Sequence, residues 1–222
     1  MPSPATYLLA LFPLPLVLFP GAAVPLHVFE PRYRQLVRDV QGADVRYGDG
    51  RFGIVLAGPG APAAGLVGCE ALVRDVEMLP DGRSTLVVDG EARFTVVRVV
   101  ETDRLYTVAE VAPYADDPGA PPATEAAADR VRALLTRVAR AATALADRDD
   151  DPPELPADPD AVAFAAAALV DFDTADRQRV LASRSPAERL VIVEGLLARA
   201  VGGVEEQARV HVGARSNGRG PH

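Results

Sequence analysis

Lysine is missing from this 222-residue chain; all 23 basic side chains are arginine. A P-loop cannot be assembled without the lysine that reaches the β- and γ-phosphates, and a Ser-Lys dyad cannot be assembled without its base. Cysteine is limited to Cys69, so no intramolecular disulfide can form. The three histidines, His27, His211 and His222, stand far apart, and no H-E-x-x-H, C-x-x-C or G-x-S-x-G pattern occurs. Neither a metal motif nor a nucleophile motif is present, and no cofactor is expected. Positive charge is in deficit as well. The formal net charge of -8 argues against broad binding of nucleic acid or of an anionic membrane. No basic residue precedes the first apolar run, the earliest being Arg32, so no secretory leader is read and a cytoplasmic chain is expected.

What is present is organised around Leu11 to Val40, LFPLPLVLFPGAAVPLHVFEPRYRQLVRDV, which carries no charge until Glu30. A membrane helix does not fit this run, because Pro13, Pro15, Pro20 and Pro25 remove donors and break the ladder that hydrocarbon requires. Two short extended segments fit instead. The first ends near Leu18, Phe19-Pro20-Gly21 makes a turn, and Ala22 to Phe29 forms the second, giving an irregular hairpin-like unit. Glu30-Pro31 then reads as a helix start, with Tyr33, Leu36, Val37 and Val40 at helical spacing.

These residues carry a resemblance. FPLPLVLFPGAAVPLHVFEPRY resembles the opening of the N-terminal, substrate-binding domain of Lon proteases, and most of all the stand-alone bacterial proteins built from that domain alone. The likeness continues to about Leu197, and DGEARFTV, with Gly90 and Arg93, is similar to a recurrent hairpin element of the family. The resemblance implies an α+β fold: a PUA-like, β-rich pseudo-barrel followed by a helical subdomain. It implies a non-enzymatic module that holds unfolded or exposed peptide segments, with any protease or chaperone working in trans. The lack of lysine excludes the ATPase and protease activities of full Lon within this chain.

Further along, Phe52 to Leu56 reads as a buried strand after a polar break from Gln41 to Gly50, and Gly58-Pro59-Gly60-Ala61-Pro62 as a loop. Leu66 to Leu79 and Ser84 to Val88 form a hairpin about Pro80-Asp81-Gly82. Asp89-Gly90 breaks the chain before strands at Ala92 to Val100 and Tyr106 to Val111. Thr124 caps a helix reaching about Arg148, and Asp147 to Asp160 is an acidic, proline-rich exposed loop. Helices follow at Ala161 to Leu169, at Thr174 to Ala182, and after the capping-box pattern Ser185-Pro186-Ala187-Glu188. The expected division is residues 1–118, 119–200 and a disordered tail at 201–222.

Most chemistry-bearing motifs have ordinary explanations. The literal G-x-G-x-x-G at Gly48 to Gly53 precedes a strand, whereas a dinucleotide fingerprint follows one and opens a helix, so it reads as a turn. His27 reads as a half-buried structural residue and Cys69 as an inert buried thiol. Asp149-Asp150-Asp151 lacks the alternating ligands of a calcium loop, and Asp171, Asp173 and Asp176 suit a helix start. Glu30, Arg32 and Tyr33, with Arg93 as a further contributor, are the candidate rim of a peptide-binding groove beside an open strand edge. Two alternatives stay open. Arg32, Arg34, Arg38 and Arg93 on one face would suit an RNA-binding PUA-like protein, and a deep pocket with convergent polar groups would suit a small-molecule binder or enzyme.

Overall fold

Pro13, Pro20 and Pro25 decide where the first strands lie, because a sheet tolerates proline only where its missing N–H has no ladder partner. The computed structural model describes residues 5–42, 50–146, 148 and 150–217. Gly48 and Asp49 of the G-x-G-x-x-G run, Asp149 and His222 lie outside them. The chain divides into two units, residues 1–116 with 173–182, and 117–172 with 183–222.

In the first unit, β1 (Tyr7–Leu14), β2 (Ala23–Val28), α1 (Pro31–Gln41), β3 (Arg51–Leu56), β4 (Val67–Met78), β5 (Ser84–Val100) and β6 (Thr107–Pro113) follow in order, and the later α4 (Thr174–Ala182) joins them. The sheet order is β2-β5-β4-β3-β1-β6, and β6 pairs back onto β5. Five strands therefore close into a ring, with β2 added along the first half of β5. Only β1 and β3 run parallel. The 17-residue β5 makes closure possible: Ser84 to Asp89 pairs with β2, and Phe94 to Val100 with β6.

The expected pairing of the first two segments does not form. The turn is present, with Ala22 N donating to Phe19 O at 3.1 Å and Gly21 at φ 77°, but β1 lies between β3 and β6 while β2 pairs with β5. Prolines account for this. Pro13 lies beyond Leu11, where the β1–β6 ladder ends, and Pro15 to Pro20 is outside both strands, so the chain leaves the ring before it turns.

Inside the ring, Leu9, Leu11, Val55, Phe94, Val96, Ala109 and Val111 form one buried cluster. Phe94 fills its centre so fully that a Cβ on either Gly53 or Gly68 would approach its Cζ to 2.5 Å. On the outer face, Tyr33 of α1 stacks on Phe12 of β1 at 3.9 Å between ring centroids. Polar contacts anchor the same helix: Asp39 accepts from Arg104 Nη1 and from Tyr106 Oη at 2.9 Å each, and Gln35 Oε1 accepts from Leu105 N at 2.9 Å.

Asp89-Gly90 does not break β5, which runs straight through it. The glycine serves a close approach instead. Gly21 N donates to Gly90 O and Gly90 N donates to Ala22 O, each at 2.8 Å, and a Cβ on Gly90 would collide with the Phe19 carbonyl oxygen.

The second unit is helical: α2 (Glu125–Leu145), α3 (Pro159–Leu169) and α5 (Pro186–Asn217) pack pairwise. Thr124 Oγ1 accepts from Ala127 N, the expected cap, and Val131, Leu135 and Val138 form the buried stripe of α2. Ser185 Oγ accepts from Glu188 N at 3.2 Å, but the Glu188 carboxylate turns to Ser183 Oγ at 2.9 Å, so the reciprocal half of the capping box is redirected. Helix α5 continues through Gly202-Gly203 to Asn217, where a tail was expected from residue 201. Two glycines cost about 1 kcal/mol each, and after Val204 the helix-favouring Glu205, Glu206, Gln207 and Ala208 follow. Among the described residues, no helix is long and apolar enough to cross a membrane.

Gly90→Ala is expected to destabilise the first unit by about 3 kcal/mol, since the colliding atom is backbone and cannot swing away. Gly58→Ala, with nothing near its Cβ position, is the control and changes stability by less than about 0.5 kcal/mol. Urea titration of both variants checks the contrast.

Candidate functional site

The sheet leaves an open edge on β2, because among the described strands β2 pairs with β5 alone. Gly90 N donates to Ala22 O, so the alternation of an antiparallel ladder makes Val24, Leu26 and Val28 the paired residues. Ala23, Pro25 and His27 are turned to the open side. Pro25 therefore sits where its absent donor costs no internal hydrogen bond, and it removes one docking point from the edge. His27 is exposed rather than half-buried, with Nδ1 3.3 Å from Thr85 Oγ1 of its cross-strand partner.

Beyond that edge the chain reaches Phe29, 60 % exposed, and then α1. Glu30 is the helix cap but makes no side-chain capping bond; its carboxylate pairs with Arg32 at 2.8 Å. Arg32 also lies over the Tyr33 ring at 4.4 Å. Tyr33 itself is buried against Phe12, and burial raises its phenol above the usual range despite the opposing pull of Arg32. Glu30, Arg32 and Tyr33 are thus one local cluster, with the first two at the surface and the third beneath them.

Arg93 does not join them. It is buried, with Nη1 donating to Leu181 O at 2.7 Å, Nη2 to Asp116 at 2.5 Å, and its guanidinium over Tyr114 at 5.3 Å. Tyr114 Oη donates to Ala182 O at 2.9 Å. Arg93 and Tyr114 together latch the end of α4 to the strands, and an arginine held in this way cannot serve as an exposed rim. A sequence motif does not distinguish a structural latch from a binding group.

A third feature was read only as a loop. From Leu56 to Leu66, LAGPGAPAAGL, there is no polar side chain. This segment is pinned at both ends: Ala57 N donates to Leu14 O and Gly65 N to Val96 O, each at 2.8 Å. With Pro13, Leu56 and Leu66, the loop from Ala57 to Ala63 lines a cleft of about 370 Å³ at one end of the barrel. Leu66 packs against the barrel cluster, so the cleft continues the core to the surface. The signal was in the composition, since surface loops are ordinarily polar and this one has eleven consecutive residues without a polar side chain.

These features meet a clear precedent. The sequence profile of the ATP-dependent protease La (LON) substrate-binding domain matches residues 9–199. The chain belongs to the Lon substrate-binding domain family. A Lon N-terminal domain protein from Xanthomonas campestris is 30% identical in its crystal structure, with a TM-score of 0.61 over 86% of this chain and 97% of that one. The N-terminal domain of the Mycobacterium avium complex Lon protease shares the fold at 17% identity and a TM-score of 0.62, covering 86% of this chain and 98% of its own. Within Lon this is the substrate-binding domain and not a catalytic one, and the present Lon-family chain is a substrate-binding module.

Two outcomes follow from the buried polar groups. Arg93→Ala is expected to cost about 3 kcal/mol by taking the buried guanidinium away from Asp116 and from the Leu181 carbonyl. Faster hydrogen exchange in the α4 amides than in β1 would locate the damage at the latch. Burial, helped by the Glu70 carboxylate, pushes the Cys69 thiol up to about 12. The folded state therefore holds the thiol proton more tightly than the unfolded state, and stability falls as pH rises from the ordinary thiol value towards about 12. Native protein at pH 8 is expected to resist iodoacetamide at Cys69 and to react once unfolded, as mass spectrometry would record.

Proposed function

We propose that the domain binds extended, apolar segments of other polypeptides, the kind exposed by unfolded or incompletely folded proteins. One observation carries this reading: among the described residues, a cleft of about 370 Å³ at the barrel end is lined without a single polar side chain. Such a surface gains from burying aliphatic groups at about 25 cal/mol per Å² and offers no directional contact that would demand one particular partner. The open edge of β2 supports the same reading, because backbone groups of Ala23, Pro25 and His27 are available to an added strand. Glu30 and Arg32, placed just beyond that edge with the exposed Phe29, are the surface part of the proposed rim, and Tyr33 holds them from below.

Membership of a protease-associated family supports a partner in trans, a protease or chaperone that acts on what this chain holds. The four arginines named for an RNA face are not equivalent: Arg93 is buried and latched, and Arg32 is neutralised by Glu30. A small-molecule site in the apolar cleft lacks the convergent polar groups that fix a ligand's orientation.

Fluorescence anisotropy with labelled, permanently unfolded polypeptides tests the proposal. Leu56→Asp and Ala61→Glu place a charge in the cleft and are expected to weaken binding about tenfold, equivalent to losing one buried aliphatic contact. Unchanged affinity in both variants, or no binding by the parent protein, would rule the cleft reading out.

A further inference from the structure

Charge is almost everywhere paired in the first unit. Arg32 pairs with Glu30, Arg51 with Glu91, Arg74 with Asp89, Arg83 with Asp81, Arg93 with Asp116, Arg98 with Glu110 and Arg104 with Asp39. Arg179 of α4 stands outside that set, and so do Arg34 and Arg38, which share a pocket. Among the described residues no carboxylate pairs with either, although the chain carries 31 acidic residues against 23 arginines. They stand four apart on α1, where like charges share one face and repel. The Arg38 Nε bond to Arg34 O, at 3.2 Å, neutralises neither.

Both arginines open on a single pocket of about 190 Å³, whose other walls are Val37, Met78, Gly82 and Ser84. At ~30 Å³ per water in the liquid, that is room for about six waters, or for a carboxylate on a short stem. Gly82 lacks the Cβ that would otherwise collide with the Arg34 guanidinium, so the charged group can lie against the β4–β5 turn. Ser84 supplies the second, independent sign. It is 2 % exposed, it lines the pocket, and its hydroxyl has no hydrogen-bond partner among the described residues. A hydroxyl beside two guanidinium groups that face the same pocket makes a donor set suited to an anion.

We infer that Arg34, Arg38 and Ser84 form a carboxylate-binding pocket for an acidic group on the polypeptide that this domain holds. The inference rests on the proposed polypeptide binding and specifies it: apolar side chains go to the barrel-end cleft, and a negative charge, from an Asp or Glu side chain or from a free C-terminus, goes to α1. The position agrees with an approach along β2, because Val28, the last residue of that strand, is paired with Ser84. Phe29 and Met78, 60 % and 56 % exposed, supply apolar surface at the same end.

The test uses the full chain and matched fluorescent peptides that share an apolar segment and differ in one group: Glu against Gln within the segment, and free carboxylate against amide at the C-terminus. The parent protein is expected to prefer at least one carboxylate form about tenfold at low salt, consistent with one charge-assisted bond. Which pair discriminates identifies the source of the charge. Arg34→Gln with Arg38→Gln, and Ser84→Ala separately, are expected to reduce that preference while leaving the amide forms bound as before. Arg83→Gln, which removes one positive charge from an arginine already paired with Asp81, is expected to keep it. Equal affinity of all four peptides for the parent, or a preference that survives in the double arginine variant, overturns the pocket while leaving polypeptide binding intact. Failure of every peptide to bind overturns both readings together.

Discussion

One aromatic ring sets the dimensions of the barrel. Phe94 projects into a closed ring of five strands, and the positions facing it on β3 and β4 have no room for a Cβ. Those strands must approach the ring with bare backbone, which is why Gly53 and Gly68 occur inside strands where glycine is otherwise unfavourable. Leu9, Leu11, Val55, Val96, Ala109 and Val111 pack around Phe94 and fill the inside of the ring. The proposed contact surfaces lie outside it, at the barrel end where Pro13 and Leu66 carry the apolar lining to the surface, and on the outer wall where α1 lies.

The strand edges obey a second constraint. β5 is long enough to pair with β4, β2 and β6, and its length closes the ring while leaving β2 with one unsatisfied side. Pro25 lies on that side and makes the edge a poor template for a second copy of the same strand. A visiting segment needs to satisfy fewer donors there than on an ordinary edge. Apolar burial and a local charge contact can therefore contribute as much as the backbone ladder.

Much of this architecture was legible in the residues, and the reasons differ by element. Helix α1 was evident because Pro31 marks its first position and Tyr33, Leu36, Val37 and Val40 recur on one face. The caps at Thr124 and Ser185 were evident because short polar side chains at helix starts have one main use. The pairing of β1 was not, since local turn chemistry at Phe19-Pro20-Gly21 predicts a reversal of direction but says nothing about the strand met afterwards. Gly90 was misread for a related reason: a glycine in a strand marks either a break or a close approach, and only the position of Phe19 decides which. Within the site, the surface grouping of Glu30 and Arg32 followed from adjacency, whereas the burial of Arg93 depended on α4, some ninety residues later.

Apart from Leu56 and Leu66, the wall of the apolar cleft is made of glycine, proline and alanine, residues with almost no rotamers to rearrange. It cannot re-pack around a guest in the manner of a methionine-lined groove. On the proposed reading such a wall sorts visitors by how well aliphatic groups fit a fixed shape rather than by identity. On that reading, selectivity among unfolded chains comes from how often aliphatic side chains recur along them, which is a property of a chain's composition and not of any one motif.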